Sequence, residues 1–299
     1  MGKWRKAEVV WPWHAGDTLN MGNASRTGAL AIVTTHFEIA RPPATSNMCR
    51  LFGAIGTGPI YYDLFEEFAD LAIMGNTPTG GPDHRGHPDG WGLAFYRNGK
   101  LVHHVRGQGA APSEPRYYGY AWRIAKTNID RKAGEALVLI AHVRRASAGM
   151  PIGAEWSHPF VETRRDHTWS FAHNGGLRNF ANRGDERAGD SQVFFRALLG
   201  NLEGPDPEQV AKATRATVET IRAEFGYTGL NFLLSDGQWL HAFREYQDNG
   251  DYYTLYYDHF GEAFLLCSQP ILGMRDNLLV RGYLLSVGPG LEVVKTRVL

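Results

Sequence analysis

Cys49 is one of only two cysteines in the 299-residue chain, and it follows Met48 at the head of an apolar run, CRLFGAIG. A cysteine thiolate is a strong nucleophile. If a cysteine began the mature chain, its free α-amine, with an unperturbed pKa of about 7.7–8.0, would serve as its base near neutral pH. Cys49 is therefore a candidate nucleophile, although a single cysteine in an apolar strand is more often a buried structural residue.

Polar residues with complementary chemistry stand at the ends of later apolar runs. A side-chain amide followed by a glycine N–H can stabilise an oxyanion, a guanidinium can bind a carboxylate, and a carboxylate can bind an ammonium group. The residues in question are Arg144 and Ser147 in AHVRRAS, His158 in SHPF, Asn174 and Gly175 in FAHNGG, and Asp190 in GDSQ. Together with a nucleophile, these are the parts that amide hydrolysis requires.

Each of these residues also has an ordinary structural interpretation. The Asn-Gly pair is typical of a type I′ turn, and an aspartate before a helix is typical of an N-cap. Arg144 could be a strand-end cation paired with Glu155 or Asp166. His158 and His173 are best interpreted as structural hydrogen-bonding groups.

Metal and cofactor chemistry find little support in the sequence. His84 and His87 share a loop, and His103 and His104 are adjacent, but neither pair has the spacing of a zinc motif. Lysine plus arginine equals aspartate plus glutamate at 31 each, so no net field attracts nucleic acid or an anionic membrane. Two cysteines in a chain of this size favour a reducing compartment, and we expect a cytoplasmic protein without metal or cofactor.

The pattern of apolar residues predicts the elements that position these groups. Period-two segments alternate with segments of helical spacing, and this order favours an α/β (α+β) layered fold with largely antiparallel sheets. WGLAFYRNGKLVHHVRG predicts a hairpin that turns at Asn98-Gly99. The predicted helices are Tyr61–Met74, Arg116–Ile129, Ser191–Leu202 and Pro207–Phe225.

The ordered set of motifs resembles the class II glutamine amidotransferases, a branch of the N-terminal-nucleophile hydrolases. Members begin, after processing, with a cysteine on a strand, and then carry His-x-Arg, His-Pro, His-Asn-Gly and an aspartate near a helix start. GHPDGWG (Gly86–Gly92) and the late Ser268–Pro270 segment also resemble family features. The resemblance covers residues 49–299 and implies a four-layer αββα sandwich of two mostly antiparallel sheets flanked by helices.

The resemblance also implies a role for each motif residue. Cys49 would attack the γ-amide of glutamine and form a thioester, and Asn174 with Gly175 would hold the oxyanion. The implied substrate-binding residues are Arg144 for the α-carboxylate, Asp190 for the α-ammonium group, and Ser147 and His158 around the substrate.

Several positions depart from common family patterns. Arg145 and Ser147 stand where an aromatic residue and a threonine are frequent, Gln192 replaces an acidic residue, and Gln269 replaces a glutamate. These differences favour a divergent, stand-alone branch and leave the identity of the γ-glutamyl substrate open.

Residues 1–48 conflict with a mechanism that needs a free amine on Cys49. This irregular leader, which ends in ARPPATSN, is interpreted either as a propeptide or as the product of a mis-assigned start, and we favour a start at Met48. Residues 49–299 would then form one amidotransferase domain.

Three functions remain open at this point. The leading one is hydrolysis of glutamine or a γ-glutamyl amide, with an ammonia-accepting synthase in trans and an oligomer left open as partners. The second is a γ-glutamyl amidohydrolase of a small-molecule pathway similar to that of ergothioneine. The third is a non-catalytic glutamine-binding module, which the intact set of site residues argues against.

Overall fold

The described chain begins at the strand that carries Cys49. The computed structural model describes residues 48–78, 86–130, 132–147, 149–178 and 189–299. The leader, apart from Met48, and His84 lie outside these residues. In chain order the elements are β1 (Met48–Gly56), α1 (Tyr62–Met74), β2 (Gly90–Arg97), β3 (Lys100–Gly107), α2 (Pro115–Asp130), β4 (Leu137–Arg145), β5 (Phe160–Arg164), β6 (His167–Arg178), α3 (Asp190–Asn201), α4 (Pro207–Glu224), β7 (Gly226–Ser235), β8 (Leu240–Arg244), β9 (Tyr256–Phe260), β10 (Ala263–Cys267), β11 (Tyr283–Val287) and β12 (Val293–Arg297).

The strands form two six-stranded sheets. The first has the order β3-β2-β4-β1-β10-β9 and the second the order β12-β11-β8-β7-β6-β5. Neighbouring strands are antiparallel throughout both sheets. The prediction of largely antiparallel sheets is therefore confirmed, and β1 and β6 lie inside their sheets rather than at the edges.

Three apolar cores separate four layers. The first sheet packs against α1 and α2 on one face, the second sheet packs against α3 and α4, and a third core fills the space between the sheets. The αββα sandwich that the family resemblance implies is confirmed. No helix within the described residues combines the length and the apolar character needed to span a membrane.

The four predicted helices are present, and no helix end shifts by more than one residue. In α1 the buried side chains recur at helical spacing and face the first sheet, as an amphipathic surface helix requires. In α4 the first residue is Pro207, and the Asp206 side chain accepts a hydrogen bond from Gln209 N at 3.1 Å. Proline at the first helical position and aspartate at the N-cap both favour helix initiation there.

The predicted hairpin is also confirmed. β2 and β3 pair on either side of Asn98 and Gly99, whose φ angles are 49° and 75°. Two consecutive left-handed residues are characteristic of a type I′ turn, which matches the twist of an antiparallel pair.

Alternation along β1 directs Cys49 toward the second sheet. Phe52 and Ala54 belong to the core under α1 and α2, whereas Leu51 and Ile55 belong to the core between the sheets. Side chains two residues apart share a face of a strand. The Cys49 thiol, two residues before Leu51, therefore lies on the face between the sheets.

The same reasoning places the partners of Cys49 on this face. In β4, Cys49 is opposite Arg144 and Leu51 is opposite His142. In β6 of the other sheet, Ala172 belongs to the inter-sheet core, so Asn174 faces the first sheet. The candidate site therefore forms where the two sheets face each other.

Replacing Phe171 with alanine should lower the free energy of unfolding by about 3–5 kcal/mol. Phe171 is fully buried in the core beneath α3 and α4 and stacks on Phe195 with ring centroids 5.0 Å apart. Urea denaturation of wild type and variant measures the loss. The control is Phe260→Ala, because Phe260 is 39% exposed; an equal loss in both variants would contradict the assignment of this core.

Candidate active site

Both main-chain polar groups of Cys49 are fixed by side chains. The Cys49 N–H donates to Asn174 Oδ1 at 3.1 Å, and the Cys49 carbonyl accepts from Tyr252 Oη at 3.2 Å. The first bond crosses from one sheet to the other. The packing of the two sheets and the hydrogen bond from Tyr252 therefore fix the position of Cys49.

The Ser268–Pro270 motif forms hydrogen bonds to β1, the strand that contains Cys49. Ser268 Oγ accepts a hydrogen bond from Leu51 N at 2.9 Å, and Ser268 N donates to Leu51 O at 2.9 Å. Arg50 Nη1 donates to Ser268 O at 3.3 Å, and the Arg50 guanidinium lies 4.5 Å from the centre of the Tyr252 ring. The Ser268–Pro270 motif thus has a structural role. Gln269 contributes to it by accepting a hydrogen bond from Asn76 N at 2.9 Å.

Asn174 presents an amide nitrogen without a protein partner. Its Oδ1 is used by Cys49 N, while its Nδ2 is buried and has no hydrogen-bond partner among the described residues. Buried polar groups are normally paired. A donor next to the nucleophile that lacks a partner fits the stabilisation of a developing oxyanion.

Gly175 follows within the same strand, so the type I′ turn interpretation of Asn174-Gly175 is wrong. β6 continues through both residues, and a bulge interrupts its pairing with β7 between Gly175 and Leu177. Gly175 has a φ of 147°, and a Cβ at this position would lie 1.8 Å from Gly229 O. Only glycine fits here, because both the backbone conformation and the space exclude a side chain.

Arg144 is a buried cation held by a carbonyl rather than by a carboxylate. Its Nη1 donates to Pro151 O at 3.0 Å, and none of the salt bridges within the described residues includes Arg144. The alternative pairing with Glu155 or Asp166 is therefore absent there. A buried guanidinium without a carboxylate partner is a candidate anion site.

Asp190 is the first residue of α3 rather than its N-cap, which is Gly189. Its Oδ2 accepts from Leu177 N at 2.9 Å and its Oδ1 accepts from Ser191 N at 2.7 Å, so it ties α3 to β6. A carboxylate is also favoured by the helix dipole at this position. Gln192 takes the capping role expected at the third helical position, since its Oε1 accepts from Gly189 N at 2.9 Å.

The motif residues meet at one small cavity of about 20 Å³, which holds about one water. The lining residues are Cys49, Arg144, Met150, Trp156, His158, Phe160, His173, Gly175, Gly189, Asp190 and Ser191. Ser147 is not among them; its carbonyl accepts from Met150 N at 3.0 Å in the turn after β4. A substrate role for Ser147 stays a prediction.

Buried histidines lie around Cys49. The sequence assigned no role to one of them, His142. His142 Nε2 lies 2.9 Å from His158 Nδ1. His173 Nε2 donates to Gly229 O at 3.1 Å, and its Nδ1 lies 2.8 Å from Ser191 Oγ. The structural interpretation of His158 and His173 therefore fits their contacts, and the His-x-Arg motif was the available signal for His142.

Burial determines the protonation of these groups. It raises the pKa of the Cys49 thiol to about 12, against a smaller lowering by Arg144. It holds the pKa values of His142 and His158 well below their usual range. At neutral pH the thiol is protonated and both imidazoles are neutral, so the nucleophile needs a base in direct contact.

The sequence matches the family "Glutamine amidotransferases class-II" over residues 48–265. The chain therefore belongs to this family, as the motifs predicted. Two bacterial relatives, of Haemophilus influenzae and Escherichia coli K12, carry the name "Putative glutamine amidotransferase", the latter with the suffix YafJ. Each is 29% identical, over 71% and 66% of this chain and 68% and 72% of the relative. An uncharacterised protein of Methanocaldococcus jannaschii, MJ1515, is 30% identical over 56% of this chain, and the match spans only 46% of that protein.

Solved structures show the same fold at low identity. A glutamine phosphoribosylpyrophosphate amidotransferase of Bacillus subtilis superposes with a TM-score of 0.53 and 16% identity, covering 84% of this chain and 49% of that one. A class-II domain protein of Silicibacter pomeroyi superposes with a TM-score of 0.51 and 22% identity, covering 83% and 99%. The chain thus spans about half the length of some proteins that it matches.

Replacing Gly175 with alanine should destabilise the protein by more than about 2 kcal/mol, because the new Cβ collides with the backbone of β7. Thermal and urea unfolding measure the effect. The control is Gly119→Ala, since Gly119 lies in α2 with open space around it, and this change should stabilise by up to about 1 kcal/mol. A Gly175→Ala protein as stable as wild type would refute the close approach to Gly229.

Proposed function

We propose that the protein is an amidohydrolase that cleaves the γ-amide of glutamine or of a γ-glutamyl compound through a Cys49 thioester. The residues before Cys49 are removed in the active form. The observation that carries this proposal is the hydrogen bond from Cys49 N to Asn174 Oδ1, which leaves Asn174 Nδ2 directed to no other residue described. The future amine and an oxyanion donor are thereby held by one side chain.

The first half of the reaction forms the thioester. Cys49 Sγ attacks the γ-carbonyl carbon, and the thiol proton passes to the α-amine of Cys49. Asn174 Nδ2 and the Gly175 N–H donate to the oxyanion. The C–N bond then breaks, the amine proton moves to the leaving ammonia or amine, and the acyl group stays on sulfur.

The second half of the reaction hydrolyses the thioester and regenerates the free enzyme. A water molecule gives a proton to the same α-amine and attacks the thioester carbon. The C–S bond then breaks, the amine proton moves to the sulfur, and glutamate leaves while the thiol and the neutral amine are restored. A protonated resting thiol suits this cycle, because the raised pKa of Cys49 makes deprotonation depend on the adjacent amine. No separate histidine base is required.

Two opposite charges at the cavity select the substrate. Arg144 binds the α-carboxylate and Asp190 binds the α-ammonium group, and both residues line the cavity that contains Cys49. A γ-glutamyl compound other than glutamine shares both groups, so the same residues serve the ergothioneine-like alternative. A panel of γ-glutamyl amides distinguishes the two.

We also place the protein in the cytoplasm, with an ammonia-accepting synthase as a partner in trans. Both cysteines of the described chain are free thiols, as a reducing compartment requires.

Cys49→Ala should abolish ammonia release from glutamine, because the variant retains no atom that can form the thioester. Ammonia production by the full chain and by a chain beginning at Cys49 measures this, together with intact mass of the natively expressed protein. The matched control is Cys267→Ala, which removes the other buried thiol, in β10, and should keep activity.

Two outcomes would refute this mechanism. One is unchanged turnover in Cys49→Ala. The other is normal activity in a protein whose mass still includes the leader. Covalent labelling of Cys49, but not of Cys267, by a glutamine-mimicking electrophile supports the proposal independently.

Arg144→Gln should raise KM for glutamine by about 10–100-fold with a smaller effect on kcat, because a charged hydrogen bond to the substrate is lost. Steady-state kinetics measure the two constants. The control is Arg196→Gln, since Arg196 lies on the exposed face of α3 and pairs with Glu162. An unchanged KM in Arg144→Gln would contradict the assigned carboxylate site.

A further inference from the structure

Cys49, His142 and His158 form a compact group of potential metal ligands. One ligand atom from each of the three side chains lies within 4.8 Å of the other two, and all three residues are buried. It is the one such group of three found among the described residues. Three different strands or strand ends bring these residues together, since His158 lies just before β5, His142 in β4 and Cys49 in β1.

The hydrogen bonding of the two imidazoles leaves them available to a ligand. His142 Nε2 and His158 Nδ1 contact each other at 2.9 Å, whereas His158 Nε2 is buried and has no hydrogen-bond partner in the described chain. Buried polar atoms are normally paired. Both imidazoles lie beside the Cys49 thiol, and the proposed reaction uses neither.

The distances also suit a metal of moderate softness. Zn–N bonds of about 2.0–2.1 Å and Zn–S bonds of about 2.3 Å place tetrahedral ligand atoms roughly 3.3–3.6 Å apart. His142 Nε2 and His158 Nδ1 are 2.9 Å apart in a hydrogen bond. A bound metal would therefore separate these two nitrogens by roughly 0.4 Å, and one ligand atom of each of the three residues already lies within 4.8 Å of the others.

We propose that Cys49, His142 and His158 bind a divalent cation of the Zn²⁺ type, with the fourth position open to the substrate cavity. Each imidazole ring supplies one neutral nitrogen ligand, and Cys49 supplies the thiolate. Cys49 and His158 both line that cavity, so a water or a substrate atom completes the coordination.

The proton balance of binding is simple. The Cys49 S–H bond breaks, the sulfur–metal bond forms, and one proton leaves to solvent. The His142–His158 hydrogen bond is replaced by two nitrogen–metal bonds. The imidazole that donates in that hydrogen bond moves its proton to its other ring nitrogen, so that each ring binds the metal through a nitrogen that carries no proton.

The consequence for activity rests on the proposed function. A cation bound to Cys49 Sγ occupies the electron pair that attacks the amide. Zn²⁺ is then a reversible inhibitor of the hydrolase, and a chelator restores activity.

Cobalt binding tests the site without reference to catalysis. Untagged full-length protein, reduced and stripped with a chelator, is titrated with Co²⁺. We expect one equivalent to produce a thiolate-to-cobalt charge-transfer band and the intense visible bands of tetrahedral Co²⁺, and Zn²⁺ to displace both.

Variants assign the ligands. Cys49→Ser should remove the charge-transfer band, and His142→Asn and His158→Asn should each weaken binding by more than about 10-fold. The matched controls are Cys267→Ser and His241→Asn, a buried thiol and a buried histidine elsewhere in the fold, and both should bind Co²⁺ as wild type does. Circular dichroism reports folding; if a histidine variant does not fold, the Cys49→Ser spectrum and the Zn²⁺ competition decide.

The outcomes separate this site from the proposed function. A chain that hydrolyses glutamine but binds no Co²⁺, or whose charge-transfer band survives Cys49→Ser, overturns the metal site alone. A chain that binds Co²⁺ through Cys49 but hydrolyses no γ-glutamyl amide supports the metal site and overturns the proposed function. Loss of the band in Cys267→Ser would also overturn the ligand assignment.

Discussion

The hydrogen bond between Cys49 N and Asn174 Oδ1 is the contact on which the rest of the site depends. It joins an inner strand of one sheet to an inner strand of the other. A slip of one residue in the pairing of β6 with β7 would move Asn174 to the opposite face of its sheet, because strand side chains alternate. Packing of the apolar core between the sheets therefore fixes the relative positions of the motif residues, whose side chains supply the polar groups of the site.

Burial affects both the pKa of Cys49 and the strength of the charge interactions around it. The desolvation that raises the pKa of Cys49 also strengthens every charge interaction in the cavity. Arg144 has a carbonyl partner instead of a carboxylate, and Asp190 is oriented by the backbone of β6 and α3. Under the proposed function, the carboxylate of a zwitterionic substrate would give the Arg144 guanidinium an anionic partner.

Local patterns predicted most of the fold because they follow from short-range rules. The Asn98-Gly99 turn, the helix start at Pro207 and the alternation in β1 all have local causes. The site was less predictable where long-range contacts decide. Asn174-Gly175 has the composition of a turn, yet it lies inside a strand, because β7 approaches so closely that only glycine fits. Tyr252 and Ser268 hold β1 from about 200 residues away, and nothing near them in the sequence indicates this role. The leader and the role of Ser147 stay predictions.

The pairing of β1 also limits when the peptide bond between Met48 and Cys49 could be cleaved, as the proposed mechanism requires. Met48 is already within the strand, opposite Arg145, and β1 has a neighbouring strand on each side. Proteases act on segments that are released from such pairing. Cleavage in the finished protein would first need a local opening of the sheet, whereas trimming of the nascent chain, or initiation at Met48 itself, precedes the pairing. Under the proposed mechanism, the amine of Cys49 would therefore have to be exposed before the two sheets close on each other.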